Sequence, residues 1–180
     1  MTGRHVALIR GINVGTAKRV AMADLRAMVA DLGYKDVSTL LNSGNVLFTA
    51  SGTARKDHGK RIEKGMTAKL GVSARVTVLT GAEVANIVRA NPLGMIADDP
   101  SRYQVAVLND PADAAKLKSI ARQQWHPEAL AIGKRAAYLW CPDGMIKSPL
   151  AAAIAKALKD GVTTRNWATM LKLYNLVQGD

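Results

Sequence analysis

The chain switches between two hydrophobic periods in a fixed order, and that order restricts its fold more than any one motif. His5–Ile9 (HVALI) is a short β-rich run and reads as a buried strand. Met22, Leu25, Met28, Val29 and Leu32 then recur at helical spacing, and Gly33 supplies a left-handed stop. Strand character returns over Asp36–Leu41. A turn at Ser43-Gly44 leads into a further strand with Val46 and Phe48 on one face. A basic helix is expected over residues 54–70, buried along Ile62, Met66 and Leu70, and then a strand over Ala74–Thr80. The resulting order, β-α-β-β-α-β, is that of a split-βαβ, ferredoxin-like plait.

The pattern then restarts. A helix over residues 82–89, the turn at NPLG and the polar break Asp98–Ser101 separate the halves. Arg102–Asn109 reads as a strand, followed by a helix with Asp110 as cap and Pro111 at its first position. EALAIG and RAAYLWC form a hairpin across Gly133-Lys134, and a helix follows with Ser148 as cap, Pro149 at its start and Gly161 past its end. The final stretch, TTRNWATMLKLYNL, reads as a helix in place of the last strand, capped by Thr163 or Thr164. The expected fold is therefore α+β, two ferredoxin-like plaits with antiparallel sheets, the second variant and ending in an added helix. Residues 1–80 form the first plait, 81–100 a connecting helix and linker, and 101–180 the second plait. The element order implies an architectural duplication, although residue identity between the halves is weak.

Apolar residues make up 48% of the 180, enough for packed cores and too many for a disordered chain. The net charge is +11 and uneven: residues 1–97 carry 14 basic and 6 acidic side chains, residues 98–180 carry 11 and 8. A field of this sign favours anionic partners, while the plainer reading is a basic protein kept soluble by its charge. The single cysteine, Cys141, rules out a disulfide within the chain and a multi-thiolate zinc site. The apolar run Val6–Ile9 is too short for a leader's apolar region or a membrane span, so the cytoplasm is the expected location.

Chemistry-bearing groups concentrate in three loops. In IRGINVGTAKRVAM (Ile9–Met22), Gly11 and Gly15 can turn backbone N–H groups inward, and Lys18 or Arg19 can supply charge to hold a phosphate. The spacing is neither the P-loop's nor the dinucleotide fingerprint's, and an ordered loop with glycines at positive φ explains the glycines equally well. In LNSGNV (Leu41–Val46), Asn42, Ser43 and Asn45 are first a hairpin turn and second a set of polar ligand contacts. At the C-terminal helix, Arg165 and Asn166 fall in the expected first turn, where a guanidinium beside free N–H groups makes a carboxylate or phosphate clamp. Trp167, Met170, Leu171 and Tyr174 are its core stripe.

Elsewhere Lys56, Lys60 and Lys64 line one face of the basic helix, either as a solvated face or as a polyanion contact. Exposed aromatics matching an RNA-recognition plait are missing from HVALIR and GNVLFTA, where Phe48 stands alone. Tyr138 and Trp140 share a strand face, and packing is the expected role. His5, His58 and His126 stand far apart with no metal-ligand spacing, and no nucleophile motif is present. No cofactor and no metal is expected from these residues; an enzyme acting on an anionic ligand through polar groups and backbone amides stays open as an alternative, with its catalytic residues unassigned.

Two long stretches, LIRGINVGTAKRVAMADLRAMVADLGYKDVSTLLNSGNVLFTA and YLWCPDGMIKSPLAAAIAKAL…TTRNWATMLKLYNL, resemble the bacterial domain-of-unknown-function family 1697. The ordered combination RGINVG, SGNV and TTRNW carries the resemblance. It implies two packed ferredoxin-like plaits and no assigned activity. Ala21 stands where the family often has proline before the first helix. The signature stretches fall on Arg10, Gly11, Asn13, Gly15, Ser43, Gly44, Asn45, Arg165, Asn166 and Trp167. Many are polar loop residues, where packing needs are weak. With Lys18 and Thr164 they suggest an anion-binding cleft between the two plaits, for a phosphorylated small molecule or a nucleotide. The alternatives are nucleic-acid binding through Lys56, Lys60 and Lys64, and a protein-interaction subunit without catalysis. A membrane partner is not expected.

Overall fold

The computed structural model describes residues 2–16, 18–52 and 55–179, the side chains of residues 2, 55 and 56 excepted. The chain divides into two compact units, Met1–Ala82 with Val177–Asp180, and Glu83–Leu176.

In the first unit β1 (Thr2–Ile9) is an inner strand, antiparallel to β3 (Asn45–Ser51) on one side and β4 (Val76–Thr80) on the other. β2 (Lys35–Leu40) lies outside β3, so the order is β2-β3-β1-β4. Because side chains alternate along a strand, the register that sets Ala7 opposite Val46 and Val78 turns Ile9, Val76 and Phe48 to the same face. There they pack with Leu25, Met28 and Val29 of α1 (Met22–Asp31) and with Ile62 of α2 (Arg55–Gly65). Full burial of each large apolar side chain contributes roughly 1.5–3 kcal/mol. Helix α2 ends in a single π turn, Met66–Leu70, and its apolar stripe Ile62, Met66, Leu70 is the one expected from spacing.

The second unit repeats the arrangement. β5 (Tyr103–Leu108) pairs antiparallel with β7 (Ala136–Trp140) and with β8 (Val162–Asn166), and β6 (Ala129–Ile132) lies outside β7. The order β6-β7-β5-β8 is the first unit's order again. The expected loss of the last strand is thus corrected: VTTRN is β8, not the start of a helix. Its β-branched Val162, Thr163 and Thr164 suit the ladder, and Leu108 and Ala106 stand opposite Val162 and Thr164.

Asp110 and Ser148 cap as the sequence predicts, while the elements around them differ in two respects. The Asp110 side chain accepts from Ala112 N at 3.0 Å, but the turn it starts is a 3-10 helix over Pro111–Leu117 before the short α4 (Lys118–Ala121). Ser148 Oγ accepts from Ala151 N at 2.8 Å and starts α5 (Pro149–Leu158) as expected. The positive φ after α5 belongs to Lys159, not Gly161. Leu150, Ile154 and Leu158 of α5 cover Ala106, Leu108, Ala137 and Leu139. On the opposite sheet face the Tyr138 hydroxyl donates to Ile87 O of α3 (Gly81–Ala90) at 2.8 Å. Burial pushes the Tyr138 phenol up to about 12. Trp167, at the head of α6 (Trp167–Gln178), stacks on Tyr103 with ring centroids 4.8 Å apart. No helix among the described residues is long and apolar enough to cross a membrane.

Candidate functional site

The connection from β1 to α1 takes residues 10–21, and one side chain organises it. Asn13 Nδ2 donates to Val20 O at 2.9 Å and to Asn42 O at 2.7 Å, while Val20 N donates to Asn13 Oδ1 at 2.8 Å. Both amide protons and the carbonyl oxygen are thereby committed. The loop is folded onto α1's approach and tied to the β2–β3 turn. Asn13 itself sits at φ +55, a left-handed conformation that asparagine tolerates better than most residues. The same turn is fixed from below: Ile9 N donates to Gly44 O at 2.9 Å, and a Cβ on Gly44 would meet Ile12 Cδ1 at 2.8 Å.

These contacts leave an open depression of about 440 Å³, lined by Asn13, Arg19, Val20, Ala21, Met22 and Asn42. The start of α1 is one wall. Ala21 is its N-cap at φ −71, close to the angle proline would impose, and it offers no capping side chain. Arg19 and Asn42 are exposed. The wall brings together a guanidinium, carboxamides and the backbone of a helix start, groups that recognise anions. None of its six residues carries a carboxylate, imidazole, thiol or hydroxyl.

The other expected residues are placed as follows. Arg10 is exposed, its backbone N–H donating to Arg75 O at 2.9 Å. Gly11 and Gly15 are exposed at φ +70 and +62, so they serve as turn glycines. Lys18 is exposed at φ +51, and its carbonyl accepts from Asn13 N at 3.1 Å. Asn45 is buried, with Nδ2 donating to Leu40 O at 2.8 Å and to Ser43 Oγ at 3.0 Å, which makes it part of the hairpin. The opening loop and the Ser43–Asn45 turn therefore meet in the first unit.

Thr164, Arg165 and Asn166 belong to the second unit, and their expected role in a helix's first turn does not hold. Arg165 is a buried strand residue opposite Val105, donating to Thr163 Oγ1 at 3.0 Å and Thr164 O at 2.9 Å. Burial lowers its pKa to about 10. The cap of α6 is Asn166, whose Oδ1 accepts from Thr169 N at 2.9 Å, and not Thr163 or Thr164. Lys60 and Lys64 are exposed on α2, while the Lys56 side chain lies outside the described residues.

One cluster was hidden by sequence distance. The rings of His5 and His58 lie 5.1 Å apart, correcting their expected separation. His5 stacks on Phe48 at 5.4 Å, and the Tyr34 hydroxyl lies 2.9 Å from His58 Nδ1. Arg61 covers the Tyr34 ring at 5.1 Å. Burial raises the Tyr34 pKa, and the Arg61 cation partly offsets this.

Residues 1–138 of the chain match the family described as "Protein of unknown function (DUF1697)", and the chain belongs to that family. The match ends at Tyr138, so the Thr164–Trp167 signature lies outside it. Among solved structures, the chain is similar to the conserved bacterial protein SP0830 from Streptococcus pneumoniae. The identity is 22%, the TM-score 0.80, and the alignment covers 99% of this chain and 100% of that one. That likeness shows a shared fold. No curated protein matches the chain.

Proposed function

We propose that the first unit binds an anionic small molecule, a phosphorylated metabolite or a nucleotide, in the depression between the opening loop and the β2–β3 turn. The observation that carries this reading is Arg19 on the wall of a cavity whose other edge is the start of α1, a helix with no capping side chain. An anion there meets both a guanidinium and the positive end of the helix. Arg19 would hold the anion, with Asn42 beside it and Lys18 and Arg10 adding to the field. Asn13 positions the loop, because its hydrogen-bonding groups are already used. Phe48 and Tyr34 are buried, which favours a small molecule over stacked single-stranded bases on this unit.

The test is thermal unfolding against nucleotides, sugar phosphates and short oligonucleotides at low and moderate salt. A ligand at a hundred times its dissociation constant stabilises by about 2.7 kcal/mol. A small-molecule shift that survives moderate salt is expected, and Arg19→Ala should weaken binding about tenfold or more, the worth of one charge-assisted hydrogen bond. Unchanged affinity in Arg19→Ala rejects the site. A response to oligonucleotides alone, lost steeply with salt, transfers the function to the Lys60–Lys64 face of α2.

A further inference from the structure

The tripeptide Gly-Met-Ile occurs twice in the second unit, at residues 94–96 and 144–146, and both copies turn their apolar side chains into solvent. Met95 is 98% exposed, Ile96 51%, Met145 41%, and Ile146 wholly exposed. A Cβ at Gly94 would crowd the Asn91 side chain, and Gly144 holds φ +88. The two turns also converge. Arg102 Nε lies 3.5 Å from Asp99 Oδ2, its Nη1 donates to Pro142 O, and Cys141 N donates to Arg102 O at 3.1 Å. Ile96 and Met145 each stand three residues from this clamp, Ile96 before Asp99 and Met145 after Pro142. The clamp lies at the end of the sheet where Tyr103 pairs with the half-buried Trp140.

Four exposed Met and Ile side chains in two loops at one sheet end, with Arg102 and Trp140 at that same end, have the composition of an interface core rather than of ordinary surface. The charge around them selects the partner. Asp98, Asp99, Asp143, Arg102 and Lys147 give this end a net −1 in a chain of +11. A nucleic acid or an anionic bilayer is not drawn to such a surface. Asp99 is paired with Arg102, whereas Asp98, Asp143 and Lys147 make no ion pair among the described residues. A patch holding unspent charges of both signs around an apolar centre is complementary to itself. A two-fold axis through it would set Lys147 of one copy against Asp98 or Asp143 of the other. We infer that this end of the second unit is the contact face of a homodimer, with Met95, Ile96, Met145 and Ile146 at its centre.

Sedimentation velocity and light scattering on the full chain test this independently of any ligand. The wild type should be a dimer. Ile146→Asp should raise the dimer dissociation constant by about a hundredfold, as loss of a central contact does. Its circular dichroism should stay unchanged. Should that variant misfold, Met95→Ser reads the same surface from the other turn, with a smaller weakening. Lys147→Glu should weaken the dimer and Val14→Asp, an exposed apolar position in the first unit, should leave it intact. A wild type that stays monomeric at its highest soluble concentration overturns the inference. So does a dimer that survives both Ile146→Asp and Met95→Ser, or one lost equally in Val14→Asp.

Discussion

Replacing Asn13 by alanine should cost the first unit about 2.5–4.5 kcal/mol, and the parts of that figure can be separated. The largest is the Val20 N–H. Val20 is buried, and without Asn13 Oδ1 its amide has lost the acceptor at 2.8 Å; a buried donor left unsatisfied costs roughly 1–3 kcal/mol. The bond to Asn42 O lies at the surface, where water substitutes, and adds about 0.5 kcal/mol. The third part is conformational: alanine at φ +55 pays about 1 kcal/mol that asparagine largely avoids. Asn13→Gly removes every side-chain bond but not the freedom to hold that angle, so it should be less harmful than alanine by about 1 kcal/mol. Urea unfolding followed by circular dichroism gives both free energies, and hydrogen exchange should show Val20 losing protection. Two results refute the reasoning: a loss under about 0.5 kcal/mol in Asn13→Ala, or equal losses for alanine and glycine.

Three further outcomes follow from the structure. Gly44→Ala should destabilise the first unit by at least about 2 kcal/mol, because φ +85 strains any side chain and the new Cβ meets Ile9 Cβ at 3.0 Å as well as Ile12; urea midpoints check this. Cys141 is buried and its thiol is pushed up by that burial, so Ellman's reagent should leave it untouched until the second unit unfolds. The sign of its pH dependence is fixed too. A thiol that holds its proton more tightly when folded contributes fully below its unfolded pKa of about 8.5, and that contribution falls as pH rises beyond it. Cys141→Ala should flatten the alkaline slope measured by urea unfolding.

The fold was legible in the sequence to the extent that its signals were local. Periodicity located α1, α5 and most strands, and the caps Asp110 and Ser148 were readable because a cap needs only its own next turn. β8 was not readable. Val-Thr-Thr-Arg-Asn before an amphipathic helix suits a capped helix start as well as a short strand, and what decides is pairing with β5, over fifty residues away. The His5–His58 contact fails for the same reason. The candidate site was half legible. Glycines and polar residues marked the loop, but the left-handed angles at Asn13, Lys18 and Leu41 are not ones that residue type alone would place there. Side-chain hydrogen bonds make Asn13 and Asn45 structural residues, while Arg19 and Asn42 line the cavity wall.

The shared strand order makes one half of the molecule a control for the other. In the second unit, two residues, Asn109 and Asp110, carry the chain from the central strand into the next helical turn. In the first unit the equivalent passage uses residues 10–21. A plait therefore closes with two residues at this corner, and the ten extra ones in the first copy are length the fold does not require. Trimming that corner toward the shorter version asks the chain what the additional residues were kept for.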